Sequence, residues 1–297
     1  MDPGHLILNS SLCSKTMAMS SIQRLYFPGE EWIFLKLYTG TQLAETILLE
    51  SIQPTLRAYH EAGKISEWHF VRYEDPENHL RVRLKCSDNN NSELSKELLD
   101  ILRPYTKNNG LWDIKICTYR RELERYGENF IEIVESIFTK QSFCALDLIV
   151  ASDTPEQKFI SSAINIFLNV EDLFVDLDEM IRFFKNGQDA FFKEFNLTKE
   201  DKKELSKSYI EIQDDLKNQL TRFRNGSKPF DKRLYWSVDL QKRDGFIEYV
   251  KKHYLLSDLI HMFVNRLFTK EQRKNEAILY FFLYKMASFL KHYPVNA

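Results

Sequence analysis

The segment SEWHFVRYEDPENHLRVRLKC (66–86) contains two candidate strands separated by a polar turn. In its second half, HLRVRLKC (79–86), apolar and polar residues alternate strictly. Successive side chains of a strand point to opposite faces, so this half predicts a half-buried strand with one cationic face. The apolar face would carry Leu80, Val82, Leu84 and Cys86, and the cationic face would carry His79, Arg81, Arg83 and Lys85.

The elements around this segment complete a mixed fold. EWIFLKLYT (31–39) is typical of a strand, and residues 41–64 have helical spacing interrupted by Pro54. A helix is expected from Ser92 to about residue 105, followed by the strand WDIKICTYR (112–120). This β-α-β-β-α-β order predicts a ferredoxin-like N-terminal part. From Arg125 onward the pattern is helical, with starts indicated at Thr154, Thr198 and Thr269. The expected class is therefore α+β with a mostly helical C-terminal part.

The chain is long enough for one large domain, and we expect a single one over residues 30–297. Its sheet part would cover 30–125 and its helical part 126–297, with a break at NGSKP (225–229). Residues 1–29 have no signal-peptide pattern and are expected to form a flexible lead-in. No window has the roughly 18 apolar residues that a membrane span requires.

Charge and cysteine usage narrow the functional classes. The net charge is −2, which argues against direct nucleic-acid binding through phosphate neutralisation. The cysteines, at positions 13, 86, 117 and 144, show no metal-ligand spacing, so we expect no metal and a reduced, cytoplasmic setting. The sequence contains no phosphate-binding glycine loop, HExxH or GxSxG. What remains is side-chain acid/base chemistry and charge stabilisation.

Three stretches carry candidate site residues. Arg81 and Arg83 lie on one strand face and could hold one carboxylate ligand, although the spacing alone favours a solvated outer face. In TYRRELERYGENF (118–130), Glu122 and Arg125 are three residues apart and could form a helical ion pair, with or without a functional role.

The third stretch is SDLIHMFVNRLF (257–268), an apolar helix with one polar stripe formed by Asp258, His261 and Asn265. A histidine in such a helix is either a satisfied core residue or a general acid/base oriented by Asp258 or Asn265. The spacing alone leaves both readings open.

Together, FVRYEDPENHLRVR, TYRRELERYG and SDLIHMFVNRLF resemble the lantibiotic dehydratase C-terminal domain family, also described as the SpaB C-terminal or thiopeptide-type bacteriocin biosynthesis domain. The likeness runs from about Trp32 to the C-terminus. It implies a lyase that eliminates glutamate from glutamylated Ser or Thr of a precursor peptide, leaving dehydroalanine or dehydrobutyrine, without a cofactor. The resemblance implies that His261, Arg81, Arg83 and Arg125 are catalytic, and that Glu122 and Glu276 match acidic positions of the same pocket. With these two glutamates, Arg72 and Asn265 complete the set of residues that we expect to bind the substrate.

The resemblance also implies partner molecules, and two alternative functions stay open beside the elimination. Fused relatives carry a glutamylating portion, so we expect a split system whose partners are a glutamylated precursor peptide and a glutamylating dehydratase subunit, with a homodimer as a further option. One rival is the related cycloaddition enzyme that forms the pyridine of thiopeptides. Another is a catalytically idle subunit that only binds the peptide or its partner, since strand edges can add a peptide strand.

Overall fold

The structure is a computed structural model that describes residues 22–87, 91–174, 176–224, 245–252 and 255–292. A small sheet part comes first and a mostly helical part follows, which confirms the predicted α+β class. The strands are β1 (Leu25–Tyr26), β2 (Trp32–Thr39), β3 (Ile65–Tyr73), β4 (His79–Cys86), β5 (Leu111–Ile116) and β6 (Tyr119–Arg120). The helices are α1 (Thr41–Ile47), α2 (Gln53–Glu61), α3 (Asn91–Leu102), α4 (Leu123–Tyr126), α5 (Ile131–Val150), α6 (Pro155–Glu171), α7 (Leu177–Glu194), α8 (Lys199–Arg224), α9 (Phe246–Lys252), α10 (Leu255–Leu267) and α11 (Gln272–His292).

Four of the strands form an antiparallel sheet in the order β3-β4-β2-β5. The register pairs Leu35 with Val82, and this face packs with residues of α1, α2 and α3 in one apolar core. On the opposite face, Lys36 pairs with Arg81. The predicted alternation of β4 is confirmed, because its apolar residues are buried and its arginines lie on the other face.

The predicted helix over 41–64 forms as α1 and α2, joined by a π-helical turn at Leu48–Ile52. The turn directly precedes Pro54, which lies in the first turn of α2. Proline has no backbone N–H and its ring crowds the preceding turn, so the regular hydrogen-bond ladder changes there.

Two boundaries differ from the sequence expectation. The strand expected over 112–120 divides into β5 and β6, because β6 leaves the large sheet and pairs with β1. Residues 25–26 of the expected lead-in are therefore ordered in β1, and the structured part begins before residue 30. Residues 1–21 lie outside the described residues.

The helical part encloses a second and larger core, to which α5, α6, α10 and α11 contribute. Of the predicted helix starts, Thr154 and Thr198 each accept a backbone N–H, from Gln157 and Asp201 respectively. The start at Thr269 is wrong, since α11 begins at Gln272. The predicted break at 225–229 lies outside the described residues.

Side chains of two helices join the helical part to the edge of the sheet. Three backbone N–H groups of β3, at residues 68, 70 and 72, donate to Thr139 and Ser142 of α5 and to Asn265 of α10. An uncovered strand edge would leave these groups to pair with another chain. The contacts therefore protect this edge and fix α10 against the cationic face of the sheet.

Of the helices that the structure describes, none is long and apolar enough to cross a membrane.

A candidate active site between the sheet and helix α10

The three residues of the polar stripe of α10 each contact a different partner. Asp258 accepts a hydrogen bond from Arg125 Nη2 at 2.5 Å. Asn265 holds the backbone of Arg72 at both its N–H and its carbonyl, each at 2.9 Å. His261 Nδ1 lies 2.8 Å from Glu276 Oε2. The expectation that Asp258 or Asn265 orients the imidazole is therefore wrong, because that role falls to Glu276 on α11.

The pairing with Glu276 determines which nitrogen of His261 is free. Glu276 is buried and also accepts from Arg273 Nη1 at 3.1 Å. A carboxylate accepts hydrogen bonds, so the His261 proton belongs on Nδ1 and the lone pair of the neutral ring on Nε2. Nε2 has no hydrogen-bond partner within the described residues. The ring is one-third exposed, with a side-chain exposure of 33%. His261 can therefore exchange a proton with a ligand.

Arg81 and Arg83 differ from the other arginines of this site in their surroundings. Arg83 lies over the rings of Phe34 and Tyr119, at 4.3 and 5.1 Å. Its Nε is shielded from solvent without a partner, and burial lowers the pKa of its guanidinium. Arg81 lies 3.4 Å from the ring centroid of Tyr73. Within the described parts of the chain, neither arginine forms an ion pair with a carboxylate.

Arg125, by contrast, is held by two carboxylates. Its Nη1 lies 3.7 Å from Glu122, as the spacing predicted, and its Nη2 bonds Asp258. The hydrogen bond to Asp258 raises the pKa of Arg125. Its short helix, α4, ends at Gly127, where φ is +79° and an added Cβ would lie 2.6 Å from the Tyr249 hydroxyl. This backbone conformation favours glycine at the position that ends α4.

A cavity of about 360 Å³ brings most of the predicted residues together. Its walls include all four predicted catalytic residues and two of the predicted substrate ligands, namely Arg81, Arg83, Arg125, His261, Glu122 and Asn265. Two neighbouring cavities, of about 480 and 250 Å³, also reach His261. Glu276 lines the larger one and Arg72 the smaller. His261 thus lies where three cavities meet.

The guanidinium group of Arg72 is buried and has partners within the protein. Its Nη2 pairs with Glu45 at 3.2 Å and its Nε donates to the Arg266 carbonyl. Burial lowers the pKa of Arg72 to about 10. These contacts favour a role in fixing the sheet to α10 over direct contact with a substrate.

Three residues around Arg83 escaped the sequence reasoning. His69 Nε2 lies 3.5 Å from Arg83 Nη1, and burial, with Arg83 and Arg266 as further causes, holds the pKa of His69 well below its usual value. Tyr119 lines the same cavity and donates to Glu135. Arg266 is fully buried, with Nε and Nη2 unpartnered, and burial lowers its pKa to about 9. The alternation of β3 places His69 on the face of Arg83 once the strands are in register, but no local signal marks Arg266.

The described residues contain no group of three or more His, Cys, Asp or Glu placed to hold a metal ion. The ionisable groups that line the cavity are guanidinium, imidazole and phenol groups, together with the Glu122 carboxylate. Its chemistry would consist of anion binding and proton transfer.

Comparison with known proteins assigns the chain to a family. Residues 32–287 match the family described as Lantibiotic biosynthesis dehydratase C-term, and the protein belongs to this family. A similar relative is the nisin biosynthesis protein NisB of Lactococcus lactis subsp. lactis, at 27% identity over 87% of this chain. The chain spans only 26% of the length of NisB.

Solved structures agree in fold. The tRNA-dependent lantibiotic dehydratase MibB from Microbispora sp. 107891 aligns over 90% of this chain and 29% of its own, with 16% identity and a TM-score of 0.63. The pyridine synthase TbtD, from thiomuracin biosynthesis, aligns over 89% of this chain and 99% of its own, with 10% identity and a TM-score of 0.61. Identities this low establish the shared fold alone.

Proposed function

We propose that this protein is a lyase that eliminates glutamate from glutamylated Ser or Thr residues of a precursor peptide. The observation that carries the proposal is the pair Arg81 and Arg83. Both guanidinium groups line the cavity of His261, and neither has a carboxylate partner within the described residues. A shielded cation without a carboxylate partner, as at Arg83, is costly to the free protein, so an anionic ligand accounts for its placement.

The substrate chemistry fits such a pair. A glutamyl ester keeps a free side-chain carboxylate, and its leaving group becomes a second carboxylate. Guanidinium groups bind carboxylates through paired hydrogen bonds that supply both position and charge. Donors placed where charge develops contribute on the order of 3 kcal/mol each to the transition state.

In the elimination, a base removes the α-proton of the modified residue, the Cα–Cβ double bond forms and the Cβ–O bond breaks. The glutamate carboxylate leaves with the electron pair of that bond. His261 Nε2, with Nδ1 held by Glu276, is suited to take the α-proton or to protonate the leaving carboxylate. Arg81 and Arg83 would bind the glutamyl group, and Arg125 would support the developing charge from the α4 side.

The likeness to TbtD over nearly its whole length favours pyridine formation as the second candidate. Such an enzyme would not need cations for a glutamyl carboxylate, so the unpaired arginines support elimination. We also infer a glutamylating protein as partner, because the proposed reaction requires a glutamylated peptide as its substrate. The finer fold assignment, a ferredoxin-like unit, is supported by the element order and by the strand order β3-β4-β2-β5.

A synthetic peptide carrying one glutamyl-serine ester tests the proposal. Mass spectrometry should show release of glutamic acid and a dehydroalanine product with the wild-type protein. His261→Ala should slow this release by about 100-fold or more, because a positioned acid/base typically contributes that much. His292→Ala, which removes an exposed imidazole at the end of α11, is the matched control and should retain activity.

Two outcomes would contradict the assignment in different ways. Equal turnover by wild type and His261→Ala would remove His261 from the mechanism. Complete absence of glutamate release by the wild-type protein, with the same peptide processed by an established eliminating enzyme, would overturn the proposed function itself.

A further inference from the structure

The cationic face of the sheet continues beyond the cavity. Lys36 of β2 lies directly opposite Arg81 of β4 on one side and directly opposite Lys115 of β5 on the other. The three side chains therefore form one row across three strands, from the cavity to the edge strand β5. We call Arg81, Lys36 and Lys115 the cation row. Neighbouring strands are about 4.8 Å apart, so the row is roughly 10 Å long.

This arrangement is unfavourable for the isolated protein. Like charges directly opposite each other on neighbouring strands destabilise a sheet. Lys115 is offset by Asp113 of the same strand, at 3.2 Å. Neither Lys36 nor Arg81 has a carboxylate within ion-pair distance in the described parts of the chain. The acidic Glu77, in the turn before β4, instead accepts a hydrogen bond from the Trp112 indole at 3.2 Å.

The row is accessible over much of its length. Lys115 is exposed, and Lys36 and Arg81 are partly exposed. The cluster of Tyr26, Trp32, Phe34 and Tyr119 covers only one end of this face. Aromatic rings flank the row on its other side, with Arg81 over Tyr73 and Lys115 over Tyr38. Of these two rings, Tyr73 is exposed and offers contact area to a peptide backbone, whereas Tyr38 is buried.

We propose that the cation row is a docking track for acidic side chains of the substrate peptide, a few residues from the Ser or Thr being processed. This proposal rests on the proposed function. The row begins at Arg81, which lines the cavity of His261, so a peptide bound along it delivers its neighbouring residue to the imidazole. Extended chain rises about 3.3 Å per residue, so the row matches about three residues. Because Arg81 would hold the glutamyl group, acidic side chains two residues apart would pair with Lys36 and Lys115.

A peptide fits this track better than a nucleic acid. The net charge of the chain is −2, and one row of three cations neutralises few phosphates. Acidic side chains at alternate positions, by contrast, need only two or three cations at strand spacing. The track would therefore select among processing sites by the charge of their neighbours.

Three synthetic glutamylated peptides test the track. The first carries two aspartates on the N-terminal side of the modified serine, the second carries them on the C-terminal side, and the third has glutamine at all these positions. With the wild-type protein, one acidic peptide should show a KM about tenfold lower than the glutamine peptide, with similar kcat. The advantage should disappear between ~50 and ~500 mM salt, because exposed charges are screened.

Variants then assign the preference to the row. Lys36→Glu should abolish or invert it, through KM alone. Lys115→Glu should have a smaller effect, since Asp113 already offsets that lysine. Lys96→Glu is the matched control, because this exposed lysine lies on α3, which packs on the opposite face of the sheet. Circular dichroism and thermal unfolding would show that each variant is folded.

Equal KM for all three peptides, or a preference that Lys36→Glu leaves unchanged, would overturn the track. So would a Lys36→Glu defect confined to binding of a glutamylating protein. If the wild-type protein releases no glutamate from any peptide, the proposed function fails first. Fluorescence anisotropy with the unmodified peptides then tests the track separately. Tighter binding of one acidic peptide that is lost in Lys36→Glu would support the track. Equal binding of all the peptides would refute it.

Discussion

Arg121 and Arg83 both have contacts near Tyr119 but have opposite surroundings. Arg121 is buried and donates through Nε and Nη2 to both oxygens of Glu135, at 2.8 and 2.6 Å. Tyr119 donates to the same carboxylate at 2.8 Å. Arg83 lies over the ring of Tyr119, with no carboxylate among its partners in the described residues. A guanidinium group with a carboxylate partner stabilises the fold, whereas one that lies beside a cavity without a carboxylate partner can bind an anionic ligand.

The same contrast separates the other arginines of the site. Arg72 and Arg125 are paired with carboxylates, and Arg81 and Arg83 are not. Arg81 and Arg83 both lie on β4, the strand whose cationic face opens to the cavity. Arg266 also lacks a carboxylate partner among the described residues, but it is fully buried and donates to Gln141 and to the Met262 carbonyl. The arginines that lack a carboxylate and line the cavity are therefore the ones placed to bind an anionic ligand.

Removing the carboxylate partner of the paired Arg121 should have the largest effect on stability. Glu135→Ala leaves the Arg121 guanidinium buried without its partner, which typically costs about 3–5 kcal/mol of unfolding free energy. Urea unfolding followed by circular dichroism would measure the loss. The double variant Arg121→Met with Glu135→Leu should recover much of it, because no charge remains buried. A single variant as stable as the wild type would show that the pair is not structural.

Removing the unpaired arginine should instead affect function. Arg83→Met keeps an apolar stem of similar length against Phe34 and Tyr119 but removes an uncompensated cation. We expect an unchanged or higher unfolding free energy. Elimination should fall on the order of 100-fold, so that glutamylated peptide accumulates in the complete pathway. Lys96→Met is a control for loss of one positive charge. Wild-type turnover by Arg83→Met would remove the carboxylate clamp from the proposal.

Features that depend on contacts between residues close in sequence could be predicted, and features that depend on contacts between distant residues could not. The alternation in β4 and the spacing of Glu122 and Arg125 are local patterns, and the structure confirms both. Helix capping was predictable at Thr154 and Thr198 because the partner lies three residues away. The division of residues 112–120 into two strands was not, since it depends on pairing with Leu25–Tyr26, far away in sequence.

The candidate site shows the same limit. The polar stripe of α10 was evident from helical spacing, but its partners come from α4, β3 and α11. Spacing within one helix cannot show that Glu276 orients His261, because that contact depends on how α10 and α11 pack. Arg266 was hidden for a further reason. Its helix is apolar almost all round, and only the packed structure shows that a cation lies inside it.

The smallest predicted effect concerns His69, which faces Arg83. The pH dependence of the unfolding free energy at this histidine tests the comparison between the paired Arg121 and the unpaired Arg83. Burial, followed by the charges of Arg83 and Arg266, holds the pKa of His69 well below 6.5. Below pH 6.5 the unfolded chain therefore binds a proton that the folded chain does not, and the unfolding free energy falls as the pH falls. One such group contributes a slope of up to about 1.4 kcal/mol per pH unit.

His69→Gln should reduce this slope between about pH 6.5 and 5, as measured by urea unfolding at a series of pH values. His292→Gln, in an exposed position, should leave it unchanged. Arg83→Met sharpens the test without changing the imidazole. Removing the facing cation should raise the pKa of His69 and reduce the slope in part, while burial, the larger cause of the low pKa, remains. A slope that is the same in all these proteins would mean that His69 does not report the charge of Arg83, and the unpaired state of that arginine would lose its most direct physical readout.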